Sequence, residues 1–567
     1  MGILDCGECS RAGLWTVSYR LRQPAQEASQ PKSRNLPSFR ASANLQAALR
    51  LRCRSVHGFR PATTSTPVQH VNSSVKVVPL ERVSLPLLAV AVDELASRKV
   101  PTSLLSLDSH TGGAIGRLLA SGDFGGARDQ VATLYPAKRP TRVLLVGMGA
   151  RGEITRGAIR RAAAVAAKRA LGMRVEAMAF HVIPEARGGV AQQTVGQVVV
   201  EGIAQGAWRF DALKAKGDSP RLGSVEIVAG REERADLDRG RRIGAAIADG
   251  HVLARNLQAL PGNVCTPRYL TGIARKLGKA YGYRVTVLGR EEIAKGELGA
   301  LLAVAQGTAQ DPQLITLEYR GAGARSAPLC FVGKGVTFDA GGISLKPPEK
   351  MEEMKYDMSG AAAVLGMFET LGHLKPKINV VGIIPASENL PSGTAIKPGD
   401  IVRGHLGKTI EIVNTDAEGR LLLSDALSYA RKFKPACVVD AATLTGSVVI
   451  ALGHHATGLM GNDDQLVDEV RQAGDLAGER CWPLPLWDEY REQIKSDFAD
   501  VKNVGGRPAG TITAGWFLRE FVDQFPWAHL DIAGTAWTEA DRPDLAKGPT
   551  GVGVRLFTEL VLGRAGG

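Results

Sequence analysis

Asn414-Thr415-Asp416-Ala417-Glu418-Gly419-Arg420 places two carboxylates two residues apart and a guanidinium two further on. An apolar, β-branched run precedes it (Thr409, Ile410, Ile412, Val413). A helical pattern follows (Leu421, Leu422, Asp425, Ala426, Tyr429, Ala430). The acids therefore stand where a strand gives way to a helix. At this spacing two side chains point apart on a helix, but on extended backbone they share a face. Two carboxylates on one face repel unless a cation lies between them, and their oxygens suit hard or borderline divalent ions. A solvated turn with a helix-capping acid is the alternative that the heptapeptide alone leaves open.

A second cluster lies upstream. Gly333-Lys334-Gly335-Val336-Thr337-Phe338-Asp339-Ala340-Gly341-Gly342-Ile343-Ser344-Leu345-Lys346 follows the apolar run Leu329 to Val332 and sets one acid between two lysines. It is not a phosphate-binding P-loop, because GxxxxGK[ST] is absent. Met354-Lys355-Tyr356-Asp357-Met358-Ser359-Gly360 then brings an acid just ahead of a helix. Asp339, Asp357, Asp416 and Glu418 make four carboxylates, which balance the charge of two divalent ions. These segments hold no Cys or His, which excludes a structural zinc of the Cys/His kind. The glycines admit close approach of backbone and substrate, and Lys334, Lys346 and Arg420 face anionic groups.

With 567 residues, the chain is too long for one core and calls for two domains and a tail. Hydrophobic residues make up 44%, as in soluble globular proteins, and no apolar run reaches membrane-helix length. Seven scattered cysteines imply no disulfide framework. The net charge of +13 is uneven: residues 1–70 carry 10 Lys/Arg and 3 Asp/Glu, which leaves the remainder at +6. Such a mildly basic body gives little support to a nucleic-acid partner.

In chain order, residues 1–70 are Arg-, Ser- and Pro-containing, acid-poor and aperiodic, and read as a disordered basic extension or an organellar targeting segment. Cys6-Gly-Glu-Cys9 is a lone CxxC with no second pair at zinc-site spacing. Residues 71–230 read as a smaller α/β domain, with strands expected at Leu88–Val92, Arg142–Val146, Val198–Ile203 and Val225–Val228. Gly147-Met-Gly149-Ala-Arg-Gly152 is a literal GxGxxG between a strand and a helix, but the acid expected about twenty residues on is poorly placed. A tight turn that needs small residues is the favoured reading. Residues 231–258 form a long linker helix, ended by Pro261-Gly262-Asn263. Residues 259–567 form the larger α/β catalytic domain, with a mixed, mostly parallel sheet and polar clusters at its carboxyl edge, where such folds keep their sites.

The segments around Lys334–Gly342, Met354–Ala362 and Asn414–Leu421 resemble those of the leucine (cytosol) aminopeptidase family of two-metal peptidases. Arg255–Val264, Ala499–Val504 and His529–Gly534 match in order, and the likeness spans roughly residues 75–560. The resemblance implies a macro-like N-terminal domain and a homohexamer. It implies one metal held by Asp339, Asp416 and Glu418 with the Asp416 backbone, and a second held by Lys334, Asp339, Asp357 and Glu418. The ions are expected to be Mn or Zn, and a metal-bridged water is the nucleophile. By the same resemblance Lys346 is expected to polarise the scissile carbonyl, and Arg420 to bind a bicarbonate that acts as general base. Met354, Leu444 and Gly446 resemble positions that line the substrate pocket. The implied activity is release of N-terminal amino acids, leucine-like ones preferred, from peptides in intracellular turnover. Since some members bind DNA, an additional DNA-binding or architectural role through the N-terminal domain is the alternative. Cytoplasm is the expected location, or an organelle if residues 1–70 are a transit peptide; no membrane association is expected. The family does not use a pair at His454-His455, so a structural role is expected there. Relatives often carry two glycines at Pro508-Ala509.

Overall fold

Two sheets carry the chain in a computed structural model that describes residues 71–95, 98–215 and 220–566. The expectations for residues 1–70, the Cys6/Cys9 pair among them, lie outside the described residues.

The first sheet comprises β1 (Asn72–Val77), β2 (Leu87–Val92), β3 (Val131–Leu134), β4 (Arg142–Gly147), β5 (Ala177–Val182) and β6 (Ser224–Ala229), in the order β1-β6-β5-β2-β4-β3. All its neighbours run parallel except β3, which is antiparallel to β4. Every residue of β2, Leu-Leu-Ala-Val-Ala-Val, is buried, as a parallel strand covered on both faces requires. Gly147 of the GxGxxG stretch packs against backbone, because a Cβ there would lie 2.1 Å from the Ala127 carbonyl oxygen. The following helix begins only at Arg156, behind a Thr155 cap. Gly147 thus serves a close loop contact rather than a helix start, and Gly149 takes a left-handed φ of 95°.

The expected strand at Val198–Ile203 is instead the middle of the helix Gln192–Ala207. Its β-branched run is buried between the helices Arg156–Gly172 and Arg234–Ala259. Backbone approach fixes this packing: a Cβ on Gly206 would meet the Ala164 carbonyl oxygen at 2.0 Å, and one on Gly240 would meet that of Gln193 at 1.7 Å. Interhelical contact overrides strand propensity here, and a short apolar run does not distinguish the two.

The 26-residue helix Arg234–Ala259 then passes into the second half. Gly250 meets Gly366 of the helix Ser359–Leu374 so closely that a Cβ would lie 2.1 Å from the Gly366 carbonyl oxygen. Near its end Arg255, fully buried, stacks 4.0 Å over Trp208 and donates to the carbonyls of Pro549 (2.9 Å) and Gln205 (3.0 Å). Burial pulls its pKa down to about 9. One helix is thus packed into both halves.

The larger sheet contains β7 (Arg284–Leu288), β8 (Gln313–Arg320), β9 (Leu329–Gly333), β10 (Gly335–Asp339), β11 (Asn379–Asn389), β14 (Cys437–Ala442), β15 (Thr457–Gly461), β16 (Cys481–Pro483) and β18 (Trp527–Asp531). β12 (Ile401–Arg403), β13 (Thr409–Glu411) and β17 (Val501–Lys502) form a separate small sheet. The large sheet runs β16-β15-β18-β14-β9-β11-β8-β7, with β10 on β11. Its centre, β18-β14-β9-β11, is parallel, and β7, β8 and β15 bring antiparallel pairs. A further helix runs over Gly510–Arg519. Among the described residues no helix is long and apolar enough to cross a membrane.

Gly250→Ala tests the helix contact. Alanine favours a helix by about 1 kcal/mol over glycine, yet its Cβ collides with backbone. A net loss of about 1–3 kcal/mol in urea unfolding is expected; a gain would show that the helices part without cost.

Candidate active site

The parallel centre of the large sheet ends on one side in charged groups. β9 stops at Gly333, and Lys334 follows it into a buried space. Lys334 Nζ donates to Asp357 Oδ1 (2.8 Å) and to the Thr443 carbonyl (3.0 Å), and pairs with Glu418 Oε1 (2.8 Å). Asp357 lies on the 3-10 turn Met351–Met358 that leads into the helix Ser359–Leu374, and Thr443 Oγ1 donates to its Oδ1 at 2.7 Å. Glu418 is the residue before the helix Gly419–Ala430. Gly419 must be small, because a Cβ there would lie 2.7 Å from Lys334 Nζ.

Asp339 ends β10, where Gly341 N (2.9 Å) and Asn389 Nδ2 (2.8 Å) donate to its Oδ1, while Oδ2 meets Lys346 Nζ at 2.8 Å. Lys346 also contacts Asp416. Oxygens of Asp339, Asp416 and Glu418 lie within 4.8 Å of one another. The acids of the heptapeptide do not meet on extended backbone. β13 ends at Glu411; Asp416 sits in a turn whose amide donates to Asn414 Oδ1 (2.8 Å), and Glu418 already has helical angles (φ −75°, ψ −35°). A side-chain turn at Asn414 replaces the expected pleat and still aims both acids at one point.

Arg420 is buried and donates through Nη1 to the Asn503 carbonyl (2.8 Å). Asn503 Oδ1 accepts from Val413 N (2.8 Å), and its Nδ2 donates to the Asn414 carbonyl (2.7 Å). Met354, half-buried, stands on the same 3-10 turn as Asp357. Leu444 is half-buried and Gly446 exposed at the start of the helix Gly446–Leu452. Asp531 holds this segment, accepting from Leu444 N (3.1 Å) and Thr445 Oγ1 (2.6 Å). His454 Nδ1 is 2.7 Å from the Gly534 carbonyl oxygen, a backbone anchor. Arg507 is exposed, and Ala509 takes a left-handed φ of 54° without a glycine. Asn389, Asn503 and Thr443 are site neighbours that motif reading did not single out. Asn503 falls inside the matched string 499–504 and Thr443 stands beside Leu444, whereas no pattern marks Asn389.

Burial and the neighbouring Asp339 and Glu418 carboxylates push Asp416 up to about 6 against the pull of Lys346. Burial drives Asp357 well above the carboxylate range, opposed by Lys334. Burial works to lower Lys334 and Lys346, but the surrounding carboxylates outweigh it and raise both. Burial lowers Arg420 to about 10, so it stays charged at neutral pH. Asp357 Oδ2, Asp416 Oδ1 and Glu418 Oε1 are buried oxygens that, among the described residues, meet a lysine ammonium and no neutral donor. Oxygen donors left in this state, converging with an amine from Lys334, fit divalent ions.

Known proteins align with these features. The catalytic domain of the cytosol aminopeptidase family matches residues 252–558, and the N-terminal domain of that family matches residues 89–217. A probable cytosol aminopeptidase of Geotalea uraniireducens is 49% identical over 465 residues, 81% of this chain and 93% of that protein. One from Aromatoleum aromaticum is 46% identical over 485 residues, 84% and 96% of the two chains. Among solved structures, a tomato leucine aminopeptidase mutant superposes with a TM-score of 0.80 at 32% identity, covering 88% of this chain and 98% of that one. The bottromycin maturation enzyme BotP in complex with Mn gives 0.75 at 33% identity, covering 85% and 100%.

Since the site gathers more carboxylates than ammonium groups, a divalent cation should stabilise the fold by mass action. Millimolar Mn²⁺ is expected to raise the melting temperature of chelator-treated protein by several degrees, and Asp416→Ala to abolish most of that rise. An equal rise in the variant would place the effect elsewhere.

Proposed function

With the chain belonging to the cytosol aminopeptidase family, we propose that it releases N-terminal amino acids, leucine-like ones preferred, from peptides, using two divalent ions. The observation that carries this reading is the trio of buried carboxylate oxygens on Asp357, Asp416 and Glu418 that meet lysine ammonium groups and, among the described residues, no neutral donor. In this reading Asp339, Asp416 and Glu418 hold one ion, with the Asp416 carbonyl. Lys334, Asp339, Asp357 and Glu418 hold the other, and Mn or Zn suits this donor set. Bound there, the ions supply Lewis acidity, which acidifies water and polarises a carbonyl.

The protein side chains divide the remaining work. Lys346 keeps about a fifth of its side chain open to solvent (22%). Its ammonium can therefore turn from Asp339 to a scissile carbonyl oxygen and donate a charge-assisted hydrogen bond, which strengthens as negative charge develops there. Arg420 is charged, and its buried Nε has no acceptor among the described residues. That free donor suits an anion such as bicarbonate, the general base in this reading. Met354 lies three residues before Asp357, Leu444 and Gly446 lie one and three residues after Thr443, and all three would line the pocket for the first side chain. The same reading takes the enzyme as a cytoplasmic homohexamer acting on peptides.

Hydrolysis of a leucine anilide tests the reading directly. Activity should vanish on chelation and return with Mn²⁺ or Zn²⁺, and Lys346→Ala should lower kcat about 10²–10³-fold. Full activity after exhaustive chelation would defeat it. Loading should also depend on pH. Lys334 must shed a proton to ligate, and its pKa is raised; Asp357 and Asp416, also raised, must be ionised. Metal affinity is therefore expected to climb with pH, about tenfold per unit for each proton released, and to weaken sharply below about 6. Calorimetry in buffers of different ionisation enthalpy counts those protons. Binding without proton release would remove Lys334 from the ligand set.

A further inference from the structure

Asn389 closes β11 in register with Asp339 and is 2% exposed. Its amide nitrogen donates twice, to Asp339 Oδ1 at 2.8 Å and to the Thr415 carbonyl at 3.0 Å. Its own carbonyl accepts from Ala340 N at 2.9 Å. Gly341 N is the second donor to Asp339 Oδ1, at 2.9 Å. Both lone-pair directions of Oδ1 are thereby occupied. The other oxygen, Oδ2, is left for cations, and there it meets Lys346.

The second bond of the amide matters as much as the first. Thr415 immediately precedes Asp416, so one side chain joins the β10 end to the turn that carries another acid. Gly342 lets the three parts close up, since a Cβ there would lie 2.8 Å from Asn389 Oδ1 and 3.0 Å from Thr415 Oγ1. Without the amide, the Asp339 carboxylate keeps one donor and can rotate about its terminal torsion, a broad one for aspartate. The Thr415 carbonyl would lose its donor in the same stroke.

We propose that Asn389 is a positioning residue for the metal pair: it selects Oδ2 as the Asp339 oxygen presented to the ions and sets the spacing between Asp339 and Asp416. This rests on the two-metal reading above. Asn503 provides the contrast. It braces the same turn at Val413 and Asn414 and holds Arg420, but touches no carboxylate of the cage.

The test is a Mn²⁺ titration of the chelator-stripped full-length protein, with free Mn²⁺ read by electron paramagnetic resonance and the melting temperature of the stripped protein measured on the same samples. Asn389→Ala is expected to weaken Mn²⁺ binding about 10–100-fold, the usual effect of losing a residue that orients a ligand. At saturating Mn²⁺, kcat should fall while KM for a leucine anilide stays within about twofold. Asn389→Ser, which keeps a shorter donor, should bind between wild type and alanine, and decides the matter if the alanine variant does not fold. Asn503→Ala should lower the melting temperature with a smaller change in Mn²⁺ affinity than Asn389→Ala. Wild-type Mn²⁺ affinity in the Asn389 variants, whatever their melting temperatures, overturns the proposal. Failure of the wild-type protein to bind Mn²⁺ would overturn the two-metal reading instead.

Discussion

Repulsion among like charges governs the architecture around the site. Asp339, Asp416 and Glu418 bring oxygens within 4.8 Å of one another, and Asp357 shares Lys334 with Glu418. At an effective dielectric of about 20, each such pair costs about 3 kcal/mol or more. Partial burial keeps water from screening them. The lysine ammonium groups offset part of the repulsion, and burial together with the neighbouring carboxylates makes Asp416 and Asp357 hold their protons more tightly. A fold tolerates this cluster only where rigid elements deliver each acid from a different direction.

The large sheet provides those directions. Lys334 leaves β9, Asp339 ends β10, Thr443 follows β14 and Asp531 ends β18. Two further acids come from the starts of the helices Ser359–Leu374 and Gly419–Ala430. Neutral side chains then lock the junctions: Asn389 on one side of the 413–416 turn, Asn503 on the other, and Thr443 on Asp357. Farther out, the glycine contacts of the helix Arg234–Ala259 bind the N-terminal half to the helix that follows Asp357.

The charged part of this arrangement was legible in the sequence because charge and glycine spacing are rare enough to stand out. The heptapeptide at 414–420 and the lysine-flanked Asp339 pointed to one site, and the chain does bring Lys334, Lys346 and the four acids together. The backbone that achieves it was less legible. Thr409–Val413 reads as a strand that continues toward the acids, yet it ends at Glu411 because Asn414 turns the chain with its own side chain. Val198–Ile203 reads as a strand, yet helices on either side bury it as a helix. Asn389 gives no signal at all, since a single amide at a strand end acquires its role only through a partner fifty residues away.

We propose that the cage holds two cations and not one. Anomalous diffraction from crystals of the full chain grown with Mn²⁺ tests it most directly. Two peaks are predicted, one among Asp339, Asp416 and Glu418 and one beside Lys334 and Asp357, with Asp339 and Glu418 reaching both. A single peak at full occupancy, or peaks elsewhere with Lys334 and Lys346 still paired to the acids, would contradict it.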